Sequence, residues 1–157
     1  MSPSSPPERE WFDAPGAAGD AGLRFACTMC GNCCTGPEGY VLFTDEEADR
    51  LARRLGVGRD EFLRRYTRWT IKGRSLGEVP SAHGLDCVFL DRHSVPGKAV
   101  CSVYEDRPAQ CRAWPFWPSV LASRESWALA ARRCPGMGRG DVVPVERVRV
   151  LRDSVRV

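Results

Sequence analysis

Apolar residues recur at helical spacing in the first half of the chain. Thr44, followed three residues later by Glu47, forms a capping box, and an apolar stripe then runs to Gly56, a typical helix stop. The stripe consists of Ala48, Leu51, Ala52 and Leu55. A second, shorter apolar stripe predicts a helix over residues 60–66.

Two further helices are expected in the second half of the chain. Pro108 is placed as at the start of a helix, which predicts a short helix over residues 109–113 that carries Cys111 and ends before Pro115. After Pro144, four apolar residues have the spacing of a terminal amphipathic helix. They are Val145, Val148, Leu151 and Val155.

Short extended segments are predicted between these helices. Residues 67–76 have an extended pattern, and residues 88–90 and 99–104 are β-like runs whose turn-rich connection fits a hairpin. In this hairpin, Cys87 and Cys101 would face each other. Further along, apolar residues alternate at Trp127, Leu129 and Ala131. The mixture predicts an α+β fold, a small single domain with short helices and short β-hairpins organised around its cysteines.

The first 22 residues differ in composition from the rest of the chain. They are rich in Pro, Ser, Gly and Ala, and Trp11 and Phe12 are their only large apolar pair. Burial of so little apolar surface does not offset the entropy lost on ordering. We therefore predict a disordered N-terminal tail over residues 1–22, and a cysteine-cluster domain over residues 23–157 that includes the terminal helix.

Length and charge exclude several classes of protein. The chain has 157 residues, the size of one ordinary domain. Its 23 Lys and Arg against 20 Asp and Glu are too balanced to indicate a nucleic acid or an anionic membrane as partner. No apolar run approaches the ~20 residues that cross a bilayer, and the acidic start lacks the features of a signal peptide. We expect a cytoplasmic protein with no membrane and no specific nucleic-acid partner.

Cysteine is the most informative residue type in the sequence. The eight cysteines are Cys27, Cys30, Cys33, Cys34, Cys87, Cys101, Cys111 and Cys134. Because disulfides do not persist in a reducing cytosol, so dense a set of cysteines there indicates metal ligands. We predict that all eight bind metal, and they suffice for two four-coordinate sites.

Cysteines near the amino end form a compact knuckle. The spacing Cys27-x2-Cys30-x2-Cys33 lets a tight turn aim neighbouring sulfurs at one metal. Cys34 follows directly, and consecutive side chains of extended backbone point to opposite sides, so two sites or one polynuclear site are expected. The knuckle with one distant cysteine fits a 4Fe–4S cluster or Zn²⁺, and the distant Cys134-Pro135 favours iron. Thiolate ligands exclude Mg²⁺, Ca²⁺ and Mn²⁺ as native metals.

Residues around the cysteines have candidate supporting roles. Arg107 and Arg112 flank Cys111 and are placed to donate hydrogen bonds to sulfur or to neutralise its charge, with a solvated helix face as the alternative. His83 and His93 lie in polar turns and are weaker ligand candidates, since eight cysteines already suffice. Aromatic side chains are expected to pack around the sulfurs and restrict water and oxygen; these are Tyr104, Trp114, Phe116 and Trp117.

The spacing of the cysteines resembles that of a known family. The residues that carry the resemblance are Cys27-x2-Cys30-Gly31-x-Cys33-Cys34, Cys87-x-Phe89-Leu90, Cys101-x2-Tyr104-x2-Arg107-Pro108-x2-Cys111-Arg112-x2-Pro115 and Cys134-Pro135-Gly136. Over about residues 25–140 this pattern resembles the YkgJ-type cysteine cluster family, the zinc- or iron-chelating CxxCxxCC domain. The resemblance implies a small metal-binding domain. A related domain occurs in flagellin lysine N-methylases, but no glycine-rich S-adenosylmethionine fingerprint follows a strand here.

Three functions are consistent with these observations. The first is a metal-binding protein that holds an iron–sulfur cluster or zinc, with a redox or metal-handling role and a redox or protein partner. The second is an oxidoreductase or protein-modifying enzyme with a spare cysteine at an open site. The third is a structural-zinc interaction module that uses the N-terminal tail and the Arg-rich terminal helix as its partner surface. The sequence predicts no catalytic residue and leaves the enzyme question open.

Overall fold

Six α-helices and eight short strands form an α+β fold in the computed structural model, which describes residues 8–15, 19 and 21–157. The fold class predicted from the sequence is therefore confirmed. The helices are α1 (Asp45–Leu55), α2 (Arg59–Tyr66), α3 (Ala109–Ala113), α4 (Pro118–Leu121), α5 (Arg124–Ala131) and α6 (Val145–Asp153), with 3₁₀ turns at Asn32–Cys34 and Tyr104–Asp106.

The strands form four separate antiparallel pairs, β1–β8, β2–β3, β4–β5 and β6–β7. The strands are β1 (Gly22–Phe25), β2 (Thr67–Thr70), β3 (Gly73–Leu76), β4 (Glu78–Ser81), β5 (Gly84–Cys87), β6 (Leu90–Asp91), β7 (Val100–Cys101) and β8 (Met137–Pro144). Three of the pairs are hairpins of neighbouring strands. The fourth joins β1 to β8, which lie far apart in the sequence, with a bulge between Arg24 and Phe25.

Helices α1, α2, α3 and α6 confirm the predictions from the sequence. Helix α1 has the full capping box, in which the Thr44 side chain accepts from the Glu47 backbone and the Glu47 side chain accepts from the Thr44 backbone. It ends at Gly56, whose left-handed conformation (φ 67°) is the usual helix stop. Helix α6 buries Val145 and Val148 from the predicted stripe.

Two predictions about extended segments are wrong. Cys87 and Cys101 do not face each other, because Cys101 pairs with Leu90 whereas Cys87 ends the separate β4–β5 hairpin, opposite Glu78. The sequence signal of β4–β5 was missed. The alternating residues Trp127, Leu129 and Ala131 lie in α5, where the Ser123 side chain caps the first turn by accepting from the Ser126 backbone. A local cap thus outweighs a short period-two pattern.

Buried hydrophobic side chains form two main clusters and a smaller one. The first cluster lies beneath α1 and α2 and consists of Ala48, Leu51, Ala52, Phe62, Leu76, Phe89 and Val103. The second lies around α6 and consists of Phe12, Leu23, Phe116, Leu121, Val145 and Val148. The third comprises Val120, Cys134 and Met137. A large cavity is lined by side chains of both the first and the third cluster.

Residues 8–15, which we call the arm, differ from the disordered tail expected there. Phe12 is 3% exposed and belongs to the second cluster, and the Trp11 indole Nε1 donates to the Leu121 carbonyl at 2.7 Å. The arm's own apolar surface is small, but the second cluster, formed by residues from the rest of the chain, receives Phe12 and so stabilises the ordered arm. The rest of the predicted tail, residues 1–7, 16–18 and 20, lies outside the described residues.

Ion pairs also hold the arm on α6. Arg149 donates to Asp13 at 2.6 Å and to Glu10 at 2.9 Å, and Arg152 also pairs with Glu10. The arm and the terminal helix, proposed from the sequence as a partner surface, therefore bind each other through the arginines of α6. This finding weakens the interaction-module interpretation.

Candidate metal centre

All eight cysteines line one cavity of about 610 Å³. Protein interiors are close-packed, and voids larger than a water molecule are few. Cys27 and Cys33 are exposed, Cys134 is buried and the other five are partly buried, so the cavity is open to solvent on one side. The chain therefore gathers sulfur from five different segments around a space that its own side chains do not fill.

The backbone of the knuckle is shaped around its sulfurs. The Met29 N–H approaches Cys27 Sγ at 3.4 Å, and the Asn32 N–H approaches Cys30 Sγ at 3.5 Å. Met29 and Gly31 both have positive φ, at 55° and 75°, which bends the chain sharply after each cysteine. A left-handed non-glycine residue is uncommon and is often found at functional sites. The two N–H groups are placed to polarise thiolate sulfurs.

Cys33 and Cys34 do not point to opposite sides as the sequence argument expected. They lie in the 3₁₀ turn Asn32–Cys34, not in extended backbone, and their Sγ atoms are 3.6 Å apart. Cys33 and Cys34 therefore line the same cavity.

The β1–β8 pair brings the knuckle next to Cys134. Directly after β1, the Ala26 N–H donates to the Gly136 carbonyl at 3.1 Å. A Cβ at Gly136 would lie 2.1 Å from the Ala26 carbonyl oxygen, so only glycine permits this approach. The Asn32 side chain also donates to the Arg133 carbonyl at 2.8 Å. These bonds explain how sulfurs a hundred residues apart reach one cavity.

Cys101 is brought to the knuckle by the segment that precedes it. The Ala99 N–H donates to the Met29 carbonyl at 2.9 Å, and the Lys98 ammonium donates to the Thr28 carbonyl at 3.2 Å. In both contacts the acceptor lies between Cys27 and Cys30, and the donor lies just before β7. The sequence offers no local signal for this docking.

A buried carboxylate positions Cys87 and Cys34. Asp86, 5% exposed, accepts two hydrogen bonds from Arg92, at 2.8 and 3.0 Å, and one each from Ser81 and Thr35. The Arg92 guanidinium holds the pKa of Asp86 well below its usual range. Because Asp86 precedes Cys87 and Thr35 follows Cys34, this one carboxylate connects strand β5 to the end of the 3₁₀ turn Asn32–Cys34 in the cavity wall. Sequence reasoning missed this role.

Cys111 is held by polar residues whose partners lie in the first half of the chain. The buried Glu47 accepts from the Ala109 N–H at 2.7 Å, which caps α3 as well as α1. The buried Gln110 side chain accepts from the Leu42 N–H and donates to the Tyr40 carbonyl, both at 2.9 Å. Helix α3 is therefore fixed against residues 40–47, and Cys111 faces the cavity as a result.

Burial and neighbouring groups raise the pKa of some thiols and lower that of Cys33. The hydrogen bond from the Cys34 thiol lowers the pKa of Cys33 to about 7, with help from Arg107, and the same pair raises the pKa of Cys34. Burial raises the pKa of Cys87 to about 11, and it also raises the pKa of Cys101 and Cys111. Without a bound cation, most of these sulfurs therefore favour the protonated thiol near neutral pH.

The two arginines that flank Cys111 have different positions. Arg107 lines the cavity, stacks over the Tyr104 ring at 3.6 Å from its centroid and donates to the Tyr104 carbonyl at 2.9 Å. Arg112 instead approaches the Glu47 carboxylate at 3.7 Å and is not part of the cavity wall. His83 and His93 are exposed and do not line the cavity.

Aromatic residues form part of the wall, as expected for three of the four candidates. Tyr104, Trp114 and Trp117 line the cavity, whereas Phe116 belongs to the second cluster. The Trp114 and Trp117 rings meet edge to face with centroids 4.9 Å apart. The Trp117 Nε1 donates to the Gln110 carbonyl at 2.8 Å, so its polar group is satisfied by the protein.

The donor set fits a soft thiophilic metal. The cavity offers eight sulfurs, and sulfur ligands select zinc, copper(I) or iron–sulfur clusters over hard cations. Within residues 8–15, 19 and 21–157, no three His, Cys, Asp or Glu side chains stand close enough to enclose a single metal ion. The sulfurs are therefore spread around the cavity and not drawn to one point.

Comparison with known proteins assigns the family. A family model described as "CxxCxxCC: Putative zinc- or iron-chelating domain" matches residues 26–135, a stretch that includes all eight cysteines. No solved structure matches the chain. Among the helices of the described part, none has the length and apolar character needed to cross a bilayer. The chain therefore belongs to the CxxCxxCC family of zinc- or iron-chelating domains, and its generic property is metal binding.

Proposed function

We propose that the eight cysteines bind a polynuclear iron–sulfur centre and that the protein has a redox or metal-handling role. The observation that carries this proposal is that all eight cysteines line one cavity. Cys27, Cys30 and Cys33 with Cys134 supply the four thiolates of a 4Fe–4S cluster. The remaining four sulfurs give the same cavity capacity for further iron.

The spacing of the sulfurs supports a polynuclear centre over a mononuclear zinc site. A tetrahedral zinc with Zn–S bonds of about 2.3 Å needs its four sulfurs about 3.8 Å apart. Cys33 Sγ and Cys34 Sγ are 3.6 Å apart, but in the described part of the chain no third His, Cys, Asp or Glu side chain stands close enough to complete such a site with them. In an iron–sulfur cluster each thiolate binds a different iron, so the sulfurs lie farther apart around a larger volume.

The chain's own residues adapt the cavity to such a centre. An iron–sulfur cluster supplies one-electron transfer when bound. Arg107 offsets the negative charge of the thiolates, and the Met29 and Asn32 N–H groups point at knuckle sulfurs. Trp114, Trp117 and Tyr104 restrict solvent on one side, while the exposed Cys27 and Cys33 leave an approach for an electron-transfer partner.

Metal analysis of protein purified without oxygen tests the proposal. We expect brown protein with iron, acid-labile sulfide and visible charge-transfer absorption that disappears on exposure to a chelator and air. Colourless protein that carries stoichiometric zinc would overturn the iron assignment and leave a zinc site. Single Cys→Ser variants add a second test: equal loss of metal in all eight indicates a closed site, whereas retained metal with a lost activity would point to an enzyme with a spare cysteine.

A further inference from the structure

Two polar groups in the cavity wall have no hydrogen-bond partner in the described part of the chain. They are the Trp114 indole Nε1 and the Thr28 hydroxyl, and both atoms are shielded from solvent. Both residues line the cavity that the cysteines surround. Buried polar groups are nearly always paired, and an exception calls for an explanation such as a bound group.

Trp114 is the more informative of the two because Trp117 provides an internal comparison. Both indoles line the same cavity and pack edge to face. The Trp117 N–H already donates to a backbone carbonyl, whereas the Trp114 N–H has no protein acceptor among the described residues. An indole N–H can only donate, so it needs an acceptor. The cavity wall beside it is rich in sulfur, and Trp114 lies three residues after Cys111.

We propose that the Trp114 Nε1–H donates a hydrogen bond to a sulfur atom of the metal–thiolate centre and so tunes that centre. This inference rests on the proposed function. A donor to a metal-bound sulfur withdraws electron density, which stabilises the more negative, reduced state and slows the loss of metal. Trp114 is thus a positioning and tuning residue that does not itself bind the metal. The Thr28 hydroxyl, within the knuckle, would act on the same centre in the same way.

Paired tryptophan variants test the inference. Trp114→Phe removes the free N–H and retains an aromatic side chain, and Trp127→Phe makes the same change at an indole that packs on the second cluster and does not line the cavity. We expect Trp114→Phe, loaded with Zn²⁺ alone, to release zinc to a chromogenic chelator about tenfold faster than wild type. Trp127→Phe should release zinc at close to the wild-type rate. In the iron-loaded protein, the reduction potential should fall in Trp114→Phe and stay near the wild-type value in Trp127→Phe.

A measurement on the wild-type chain keeps the inference testable if Trp114→Phe folds poorly. In ¹⁵N-labelled protein, the Trp114 indole N–H signal should move downfield on Zn²⁺ loading, while that of Trp117 stays in place. Equal release rates and potentials in the two variants, or an unmoved Trp114 signal in metal-loaded protein, would overturn the inference and leave the metal centre standing. A chain that takes up neither zinc nor iron would instead overturn the proposed function, and this inference with it.

Discussion

Replacement of Gly31 by alanine should damage the metal centre more than the fold. Gly31 follows Cys30 and precedes the 3₁₀ turn that carries Cys33 and Cys34. Its φ is 75°, and an added Cβ would lie 2.6 Å from the Cβ of Ala99, which is itself buried. Glycine is therefore required here for two reasons: its backbone is left-handed, and a side chain would clash with Ala99. Both effects act within the knuckle.

Gly56 provides a matched control because it also has a left-handed backbone, but a side chain there would meet no neighbour. Its φ is 67°, and nothing lies within 4 Å of an added Cβ. An alanine in the left-handed region costs roughly 1–2 kcal/mol, which applies to both variants. Overpacking adds typically ~1–3 kcal/mol, and it applies only at Gly31 because a backbone-attached Cβ has no rotamer with which to escape. We therefore expect a total cost of about 2–5 kcal/mol at Gly31 and about 1–2 kcal/mol at Gly56.

The difference between the variants should appear in metal affinity. If the knuckle shifts to relieve the contact with Ala99, the extra ~1–3 kcal/mol weakens metal binding by about 5- to 150-fold. Competition with a chelator of known affinity measures this loss, and urea unfolding of each variant measures stability separately. Gly56→Ala should lose stability and lose clearly less affinity than Gly31→Ala. Wild-type affinity in Gly31→Ala, or equal affinity loss in both variants, would refute the assignment of the knuckle to the metal centre.

The remaining predictions concern stability, metal removal and proton linkage. Removal of metal by a chelator should lower the melting temperature sharply or unfold the chain. The reason is that structural metal binding of ~10–16 kcal/mol is as large as a typical domain stability of ~5–15 kcal/mol. An unchanged melting curve by circular dichroism would contradict this. Asp86→Asn should cost about 3 kcal/mol in urea unfolding, because it leaves Arg92 without its carboxylate. Asn at the partly buried Asp91, whose carboxylate accepts from the neighbouring His93 and Ser94, should cost under about 1 kcal/mol. Since the pKa of Asp86 is depressed by folding, its contribution is present above the unfolded pKa and lost on acidification, so the Asp86→Asn gap should shrink at low pH; a constant gap argues against it. Metal uptake should release protons and strengthen with pH, because the raised pKa of Cys87, about 11, keeps its thiol protonated near neutral pH; an indicator dye that detects no proton release contradicts this. Phe12→Ala should cost about 3–5 kcal/mol without loss of metal, since the arm packs on the second cluster and not on the cavity; full stability in urea contradicts it.

Local signals in the sequence predicted helices α1, α2, α3 and α6. The capping box from Thr44 to Glu47 and the stop at Gly56 gave α1, and Pro108 gave the start of α3. Each of these signals involves residues within a few positions of one another. The interactions that start and stop these helices are therefore local, and the sequence predicts them without knowledge of the rest of the chain.

The contacts that assemble the cavity could not be predicted because they connect distant segments. The β1–β8 pair, the docking of Ala99 on Met29 and the Asp86 clamp on Thr35 each join residues far apart in sequence. Strand pairing depends on which partner is nearby after folding, and a two-residue strand such as β6 carries almost no pattern of its own. The prediction of a disordered arm was wrong for the same reason, because Phe12 packs mainly against residues from the other end of the chain.

The strand pairs around the cavity are too small to be stable by themselves. Two-stranded hairpins are at best marginal in water, and β6–β7 contributes only two residues from each strand. Yet these elements deliver Cys87 and Cys101, while a 3₁₀ turn and a five-residue helix deliver Cys34 and Cys111. If each element is held in place mainly by its neighbours, a centre that binds several of the sulfurs links them all at once. Under the proposed function, metal binding and assembly of this half of the domain are therefore one equilibrium, and the cavity lies where apolar packing alone leaves the fold incomplete.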